Sequence, residues 1–353
     1  MTKIEWAPIS IPMERRLQTL AAASCMGLLV LGEMICFAVF SAFLIFGNIY
    51  IRALCVLYLG FMYYDRFSAD QGGKGAGKSW VRGFIMWKHF HDYFPVTLVK
   101  TADLDPKRHY LFAAFPHGIL CSGAFSNFAT NYSDFKKLFP GIRPKFLTLS
   151  MHFQVPFFRD FLFAMGLGTA SANSLTTLLT ASHDSNDPIN SDGFTSNAAI
   201  IVVGGAQEAL NSRPRTYQIV LKRRRGFVRL AIQTGAPLVP VFSFGEVDLF
   251  DQPSNPPGSK LRRFQEAVKR MTGISPAFFI GRGFFQYNFG FIPKRRPVTT
   301  VVGAPIEVPK NENPTTEQIE EYHKKYTEAL VELFETHKSK YIKDAEDIHL
   351  IIE

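Results

Sequence analysis

Cysteine is scarce in this 353-residue chain and poorly placed for bonding. Four occur, at positions 25, 36, 55 and 121, with no paired C-x-x-C spacing. Neither a zinc site nor a disulfide framework is expected from them, and the apolar-flanked Cys121 reads as a packing residue. A G-x-S-x-G nucleophile elbow is absent, and Ser122, Ser150 and Ser243 lack its context, which removes the serine-hydrolase reading. Internal repeats and long low-complexity tracts are absent too. Acidic residues are outnumbered, 30 against 39 Lys and Arg, for a formal net charge of +9 and a pI of about 9.3. That balance favours anionic partners: lipid headgroups, a polyphosphate ligand or nucleic acid. With 47% hydrophobic and 14% aromatic residues, the chain can bury one large core or two modest ones.

Charge is almost missing between Leu20 and Tyr64, where only Glu33 and Arg52 interrupt an apolar stretch about twice the roughly 20 residues a helix needs to cross a bilayer. A membrane hairpin is predicted, either two crossing helices or a re-entrant pair. Arg15 and Arg16 precede the stretch and Arg66, Lys74, Lys78 and Arg82 follow it, which puts both flanks on the cytosolic side. The run starts too late and is too long for a cleavable signal peptide. Glu33 and Arg52 are expected near an interface, snorkelling, or meeting a partner within the bundle. The predicted division is a cytosolic segment over residues 1–19, the hairpin over 20–64, and a cytosolic-face α/β domain over 65–353.

Beyond Asp65 the pattern becomes short apolar runs rich in β-formers, broken by Gly, Pro, Asn and Asp. Strands are predicted at Tyr110 to Ala114, Lys145 to Leu149, Ala199 to Val203, Leu238 to Phe242 and Val298 to Val302. Gly226 to Thr234 reads as a short helix closed by Gly235. Strand, helix, strand at that spacing indicates a βαβ unit in an α/β fold. Thr315 and Gln318 form a capping-box pattern ahead of an amphipathic helix carrying Ile319, Tyr322, Tyr326, Leu330 and Leu333. Asp184 to Asp192 and Asp251 to Lys260 read as polar loops.

Four constellations could carry chemistry. Gly72, Gly77, Lys78 and Ser79 match G-x-x-x-x-G-K-[ST], but no buried strand leads into the loop to aim its amides at phosphates, so a flexible basic linker is the better reading. Phe115-Pro116-His117-Gly118 follows a predicted strand, and ligands of open α/β sheets bind at the carboxyl ends of strands. A neutral imidazole there can take a proton from an alcohol, although a lone histidine is more often structural. Gly204-Gly205-Ala206-Gln207-Glu208 follows another strand, offering amides for a substrate oxygen and a carboxylate that could orient an imidazole at its other ring nitrogen. Lys222-Arg223-Arg224-Arg225 with Arg229 sits at the start of a predicted helix, where the dipole disfavours cations unless an anion is bound. A solvated charge run is the ordinary explanation; a phosphate-rich ligand such as CoA is the functional one. Nucleic acid would need stacking aromatics among the basic residues.

These motifs resemble the type 2 diacylglycerol acyltransferases, with their monoacylglycerol and wax-alcohol relatives. The likeness runs from the hairpin to the C-terminal helix, through Trp87 to Asp92-Tyr93-Phe94-Pro95, Pro116-His117-Gly118, Gly204-Gly205-Ala206 with Glu208, and Arg225-Gly226-Phe227-Val228-Arg229 to Ser243-Phe244-Gly245-Glu246. The resemblance implies a glycerolipid-acyltransferase-like domain, a central sheet flanked by helices. It implies acyl-CoA as co-substrate, with no cofactor or metal, and a neutral lipid acceptor: diacylglycerol first, monoacylglycerol or a fatty alcohol as alternatives. Endoplasmic reticulum and lipid-droplet membranes, membrane lipids as partners, no nucleic acid, and compatibility with a homo-oligomer go with it. His117 is implied as catalytic base supported by Glu208, with amides at Gly118, Gly204 and Gly205 for the oxyanion. Arg223, Arg224, Arg225 and Arg229 are expected to meet acyl-CoA, and Phe115, Tyr93, Phe94 and Pro95 to shape the acceptor pocket. The family usually has a histidine where Phe115 stands. The wider glycerolipid acyltransferases place an aspartate where Ser122 stands, which leaves Glu208 as the orienting carboxylate. A catalytically silent lipid-binding protein of the droplet is the rival that Phe115 opens, opposed by His117, Glu208 and the basic run. The sequon Asn131-Tyr132-Ser133 is expected unmodified in a cytosolic domain.

Overall fold

Apolar runs without alternation between faces need cover on both sides, which a parallel sheet between helical layers supplies. The computed structural model describes residues 4–8, 10–181, 193–272 and 275–353; the polar loop predicted at Asp184 to Asp192 lies outside them. The strands are β1 (Thr97–Lys100), β2 (Tyr110–Phe115), β3 (Ile142–Thr148), β4 (Gly168–Thr169), β5 (Ser196–Val202), β6 (Gln218–Ile219), β7 (Leu238–Phe244), β8 (Thr299–Val302) and β9 (Ile351–Ile352). Seven form one sheet in the order β1-β8-β7-β2-β5-β3-β4, while β6 and β9 pair separately. From β7 to β4 the strands run parallel; β8 is antiparallel to β7 and parallel to β1. All five predicted strands are present, and β1, β4, β6 and β9, each of four residues or fewer, were not legible.

The helices are α1 (Met13–Phe46), α2 (Ile49–Tyr64), α3 (Ser79–Arg82), α4 (Ile85–Tyr93), α5 (Ser122–Ala129), α6 (Phe135–Leu138), α7 (Phe158–Ala164), α8 (Ala172–Leu179), α9 (Ala206–Ala209), α10 (Gly226–Thr234), α11 (Lys260–Thr272) and α12 (Thr316–Tyr341). α10 has its predicted bounds, closed by Gly235 in the left-handed region at φ 72°. The capping box of α12 is complete, with Gln318 N–H donating to Thr315 Oγ1 and Thr315 N–H to Gln318 Oε1, both at 3.2 Å.

Alternation along β2 divides the core. Tyr110, Phe112 and Ala114 face a cluster that includes Trp87 and Phe90 of α4 and Phe128 of α5. Leu111, Ala113 and Phe115 face one built with α8, α10 and α12, including Leu175, Phe227, Tyr326 and Phe334.

α1 is long and apolar enough, by length and composition, to cross a membrane. It runs for 34 residues, starting before the apolar stretch, and its small side buries Ala21, Ala22, Cys25 and Met26 in the first core cluster, against α4. α2 has 16 residues, about 24 Å, short of the roughly 20 residues of a full crossing. Asn48 caps it by accepting from Ile51 N–H at 3.0 Å, and Tyr58 packs on Phe40 of α1 with ring centroids 6.0 Å apart. Both charged residues of the stretch find partners: Glu33 bonds His152, and Arg52 Nη2 donates to Ile45 O at 2.7 Å.

The glycine-rich segment before α3 is not the flexible linker expected. Lys78 N–H donates to Ala164 O at 2.7 Å, and the buried Lys145 of β3 donates from Nζ to Gly75 O at 2.6 Å and Gly166 O at 3.0 Å. A Cβ on Gly73 or Gly77 would strike the backbone of Leu167 or Gly166 at 2.3 and 2.4 Å. These glycines serve close chain packing, a role that the phosphate-loop pattern does not reveal.

Candidate active site

Register brings three strand ends together. Ala114 of β2 pairs with Val202 of β5, and Phe115 of β2 pairs with Phe242 of β7. Because the three run parallel, the loops after them emerge side by side: His117-Gly118 after β2, Gly204 to Glu208 after β5, and Gly245-Glu246 after β7.

His117 is half-buried. Its Nδ1 lies 3.2 Å from Gly118 O. A carbonyl only accepts, so Nδ1 carries the proton and Nε2 presents its lone pair. Burial holds the imidazole below its usual pKa, outweighing the Gly118 carbonyl, which pulls it up. Neutral imidazole therefore predominates near pH 7, the form a base requires.

Glu208 does reach His117, but through the main chain rather than the ring. Its Oε2 accepts His117 N–H and its Oε1 accepts Val220 N–H, both at 2.7 Å. This corrects the expectation that it orients the imidazole at the other ring nitrogen: Gly118 O occupies that role. Glu208 instead tethers the backbone of the loop that carries the histidine. Burial pushes its carboxyl up to about 7, against the two main-chain donors and Arg224.

Sequence reading assigned no role to Glu246, which forms the opposite wall. It is buried, and its two oxygens accept Ser122 N–H and Gly123 N–H at 2.8 Å each, at the start of α5. Burial pushes it up to about 7 as well, against those same donors. The signal was present: Gly245-Glu246 follows a strand just as Gly204 to Glu208 does. Each glutamate also explains a glycine. A Cβ on Gly118, at φ 58°, would lie 2.7 Å from Glu246 Cγ, and one on Gly204 would lie 1.9 Å from Glu208 Cδ. Between the two carboxylates Cys121 is buried, and burial, Glu246 and Glu208 together drive its thiol well above the usual range, which suits packing rather than nucleophilic chemistry. Among the described residues no three His, Cys, Asp or Glu side chains gather as a metal would require.

Residues 43–353 match the family model described as Diacylglycerol acyltransferase. The chain belongs to the diacylglycerol acyltransferase family. It is 44% identical over 339 residues to 2-acylglycerol O-acyltransferase 1 of Bos taurus, covering 96% of each chain. It is 40% identical over 336 residues to diacylglycerol O-acyltransferase 2 of Dictyostelium discoideum, covering 95% of this chain and 96% of that one. Among solved structures, the crystal structure of the 1-acyl-sn-glycerophosphate (LPA) acyltransferase PlsC from Thermotoga maritima covers 91% of this chain and 97% of its own. Its TM-score of 0.37 and 12% identity are too low to carry an argument.

In this acyltransferase the basic run lies beside the site. Arg224 Nη2 donates to Gly204 O at 3.2 Å, which joins the run to the Glu208 loop. Lys222, Arg223, Arg224 and Arg229 are exposed. Arg225 is not available as expected, because its guanidinium pairs with Glu320 of α12 and bonds Lys222 O. Lys269 of α11 joins the group: burial, then Arg224 and Arg262, hold its ammonium below the usual range. The expected acceptor residues are not brought together. Phe115 is fully buried in the core beneath α10 and α12, whereas Tyr93 and Phe94 are buried in the cluster on the opposite face of the sheet. Tyr93 donates to Pro293 O at 2.6 Å, and Pro95 is exposed. Strand alternation decides this, because the odd-numbered side chains of β2 and the α4 residues cover different faces.

Proposed function

We propose that the chain moves a fatty acyl group from acyl-CoA to the hydroxyl of an acylglycerol, with diacylglycerol as principal acceptor and His117 as general base. The observation that carries this is the ring geometry of His117, neutral through burial, with Nδ1 committed to Gly118 O and Nε2 left to accept a proton. Nε2 takes the hydroxyl proton as the oxygen attacks the thioester carbon. Amides at Gly118, Gly204 and Gly205 hold the oxyanion, the C–S bond breaks, and the CoA thiolate recovers the proton from the imidazolium. A missing oxyanion donor typically costs about 10² to 10³ in rate, so loop positioning should matter as much as the base. The phosphates of CoA fit the basic group of Lys222, Arg223, Arg224 and Arg229 beside Gly204. A hollow of about 430 Å³ lined by Trp80, Phe84, Trp87 and Phe161 suits hydrocarbon. It adjoins Asp160, which Tyr58 of α2 bonds, and its Trp87 packs on Phe125 of α5 at 5.3 Å between ring centroids. This supports lateral entry of lipid chains from a membrane held by α1 and α2; in our proposal that membrane is the endoplasmic reticulum, with the domain at its cytosolic face and access to lipid droplets, as the family resemblance implies.

A 2-acylglycerol acceptor is the second reading, favoured by the bovine relative that bears that name at 44% identity. The deciding experiment offers diacylglycerol, 2-monoacylglycerol and hexadecanol in parallel to membranes carrying wild type or His117→Ala, with labelled acyl-CoA. The expected result is one dominant ester product, reduced at least about 100-fold in the variant at equal abundance. An undiminished variant would reject His117 as base, and no product from any acceptor would favour the silent lipid-binding alternative.

A further inference from the structure

The loop from Gly281 to Ile292 is built inside out. Its stem is a short ladder, with Arg282 N–H donating to Ile292 O at 2.6 Å, Ile292 N–H to Arg282 O at 3.0 Å and Gly281 N–H to Gly290 O at 2.8 Å. At the tip the polar Gln286 is the buried residue, its side-chain oxygen accepting from Asn288 N–H at 2.8 Å and Phe289 N–H at 3.1 Å. Phe284, Phe285, Phe289 and Phe291 are all exposed, Phe285 to 72%. A tip ordered by main-chain bonds, with its amide inward and its rings outward, is not patterned for water.

The neighbours of this tip indicate what covers it. The N-terminal segment pairs with it, as Ala7 N–H donates to Phe285 O at 2.7 Å and Tyr287 N–H to Glu5 O at 3.0 Å. That pairing adds Trp6, 67% exposed, to the aromatic group. The chain then enters α1, whose exposed Met13, Leu17 and Leu20 share one helical face at i, i+4 and i+7. Arg295, at the exit of the loop, donates to Arg15 O at 3.4 Å, and Arg15, Arg16 and Arg296 are exposed around the junction. Rings at the tip, basic residues at the rim and continuity with the apolar face of α1 match the three layers of a lipid interface: acyl boundary, anionic headgroup and membrane helix.

We propose that the phenylalanine tip and Trp6 form a second membrane contact, seated in the headgroup region of the leaflet that the N-terminal half of α1 faces and strengthened there by anionic lipid. It rests on the reading of α1 as a membrane helix, and it holds the domain at two points instead of one. Aromatic side chains suit that depth because they are apolar and stiff without requiring full burial in hydrocarbon.

The test places a polarity-sensitive fluorophore on the full chain at Phe285→Cys, at Phe46→Cys near the turn after α1, and at Lys324→Cys on α12, which covers the opposite face of the sheet. The unsubstituted chain, with its four cysteines, supplies the background. Proteins are reconstituted into phosphatidylcholine vesicles with or without 30 mol% phosphatidylserine, with a nitroxide-bearing lipid as quencher. Quenching at position 285 should exceed that at 324 at least twofold and increase with phosphatidylserine. Equal quenching at 285 and 324 overturns the contact. Protection of 285 from aqueous iodide without nitroxide quenching overturns it too, and assigns the tip to a second copy or another protein. Quenching at 46 without quenching at 285 leaves the membrane helix standing and rejects only this inference. Acyl transfer measured in the same vesicles separates its failure from failure of the proposed function. If Phe285→Cys misfolds, Phe289→Cys replaces it on the same tip.

Discussion

At the scale of residues, two buried glutamates on either side of one histidine dominate the site. Glu208 and Glu246 are each pushed up to about 7 by burial, although main-chain N–H groups favour their ionised forms. A folded-state carboxyl raised above its unfolded value near 4.3 contributes stability that is complete below about pH 4 and lost as pH rises through about 7. Glutamine does not ionise. Glu246→Gln should therefore gain on wild type between pH 5 and pH 8, by about 1 to 3 kcal/mol, in denaturant or thermal unfolding followed at both pH values. A difference independent of pH would show that Glu246 stays ionised throughout. Of these two carboxylates, the family resemblance singles out Glu208 as a partner of His117, although Glu246 follows a strand and a glycine in the same order. That it bonds the N–H rather than the ring could not, because the deciding contact comes from residues 91 positions apart.

At the scale of elements, the loops after β2, β5 and β7 work as a unit only if their backbones approach closely. Gly204→Ala would put a Cβ 1.9 Å from Glu208 Cδ, which drives the carboxylate off the N–H groups of His117 and Val220. Two buried donors left unpaired cost about 1 to 3 kcal/mol each, so turnover should fall more than about tenfold, together with thermal stability. Gly226→Ala is the matched control: it opens α10 and nothing lies within 4 Å of its Cβ position, so turnover and stability should stay near wild type. Comparable losses of turnover in the two variants would reject the role of Gly204 in seating Glu208. Elements with local signals were legible at this scale. α10 stops at Gly235 and α12 starts after Thr315, as those residues indicate, because caps are written in neighbouring residues. β4, two residues long, has too few residues to show a period.

For the whole molecule, α1, long and apolar enough to cross a membrane, is also a packed part of the domain. Its Ala21, Ala22, Cys25 and Met26 sit in the same cluster as Trp87 and Phe90 of α4, and Gly32 lets the helix approach Phe158, where a Cβ would be 3.0 Å from the ring. Removing residues 1–46 would uncover that cluster, and each large side chain exposed forfeits about 1.5 to 3 kcal/mol. Total stabilities are about 5 to 15 kcal/mol, so the shortened chain should not fold as an independent soluble domain. Expression without detergent, followed by circular dichroism and size-exclusion chromatography, checks this. A monodisperse, folded product would show that the α/β domain stands without α1.

Sequence by itself determined the class of fold, five of the strands, the caps of two helices, the family and the loop that carries His117, because these are encoded in local periodicity, in turn residues and in ordered motifs. Tertiary structure decided which groups meet. Register seats Glu246 beside Gly118, alternation buries Phe115 away from Tyr93 and Phe94, and packing of α12 engages Arg225 with Glu320. It also turns a glycine-rich segment into a close-packed contact, and the phenylalanines of the 281–292 loop outward. Such outcomes depend on contacts between residues far apart in the chain, whose energies belong to the assembled pairs and have no imprint in either partner's neighbourhood.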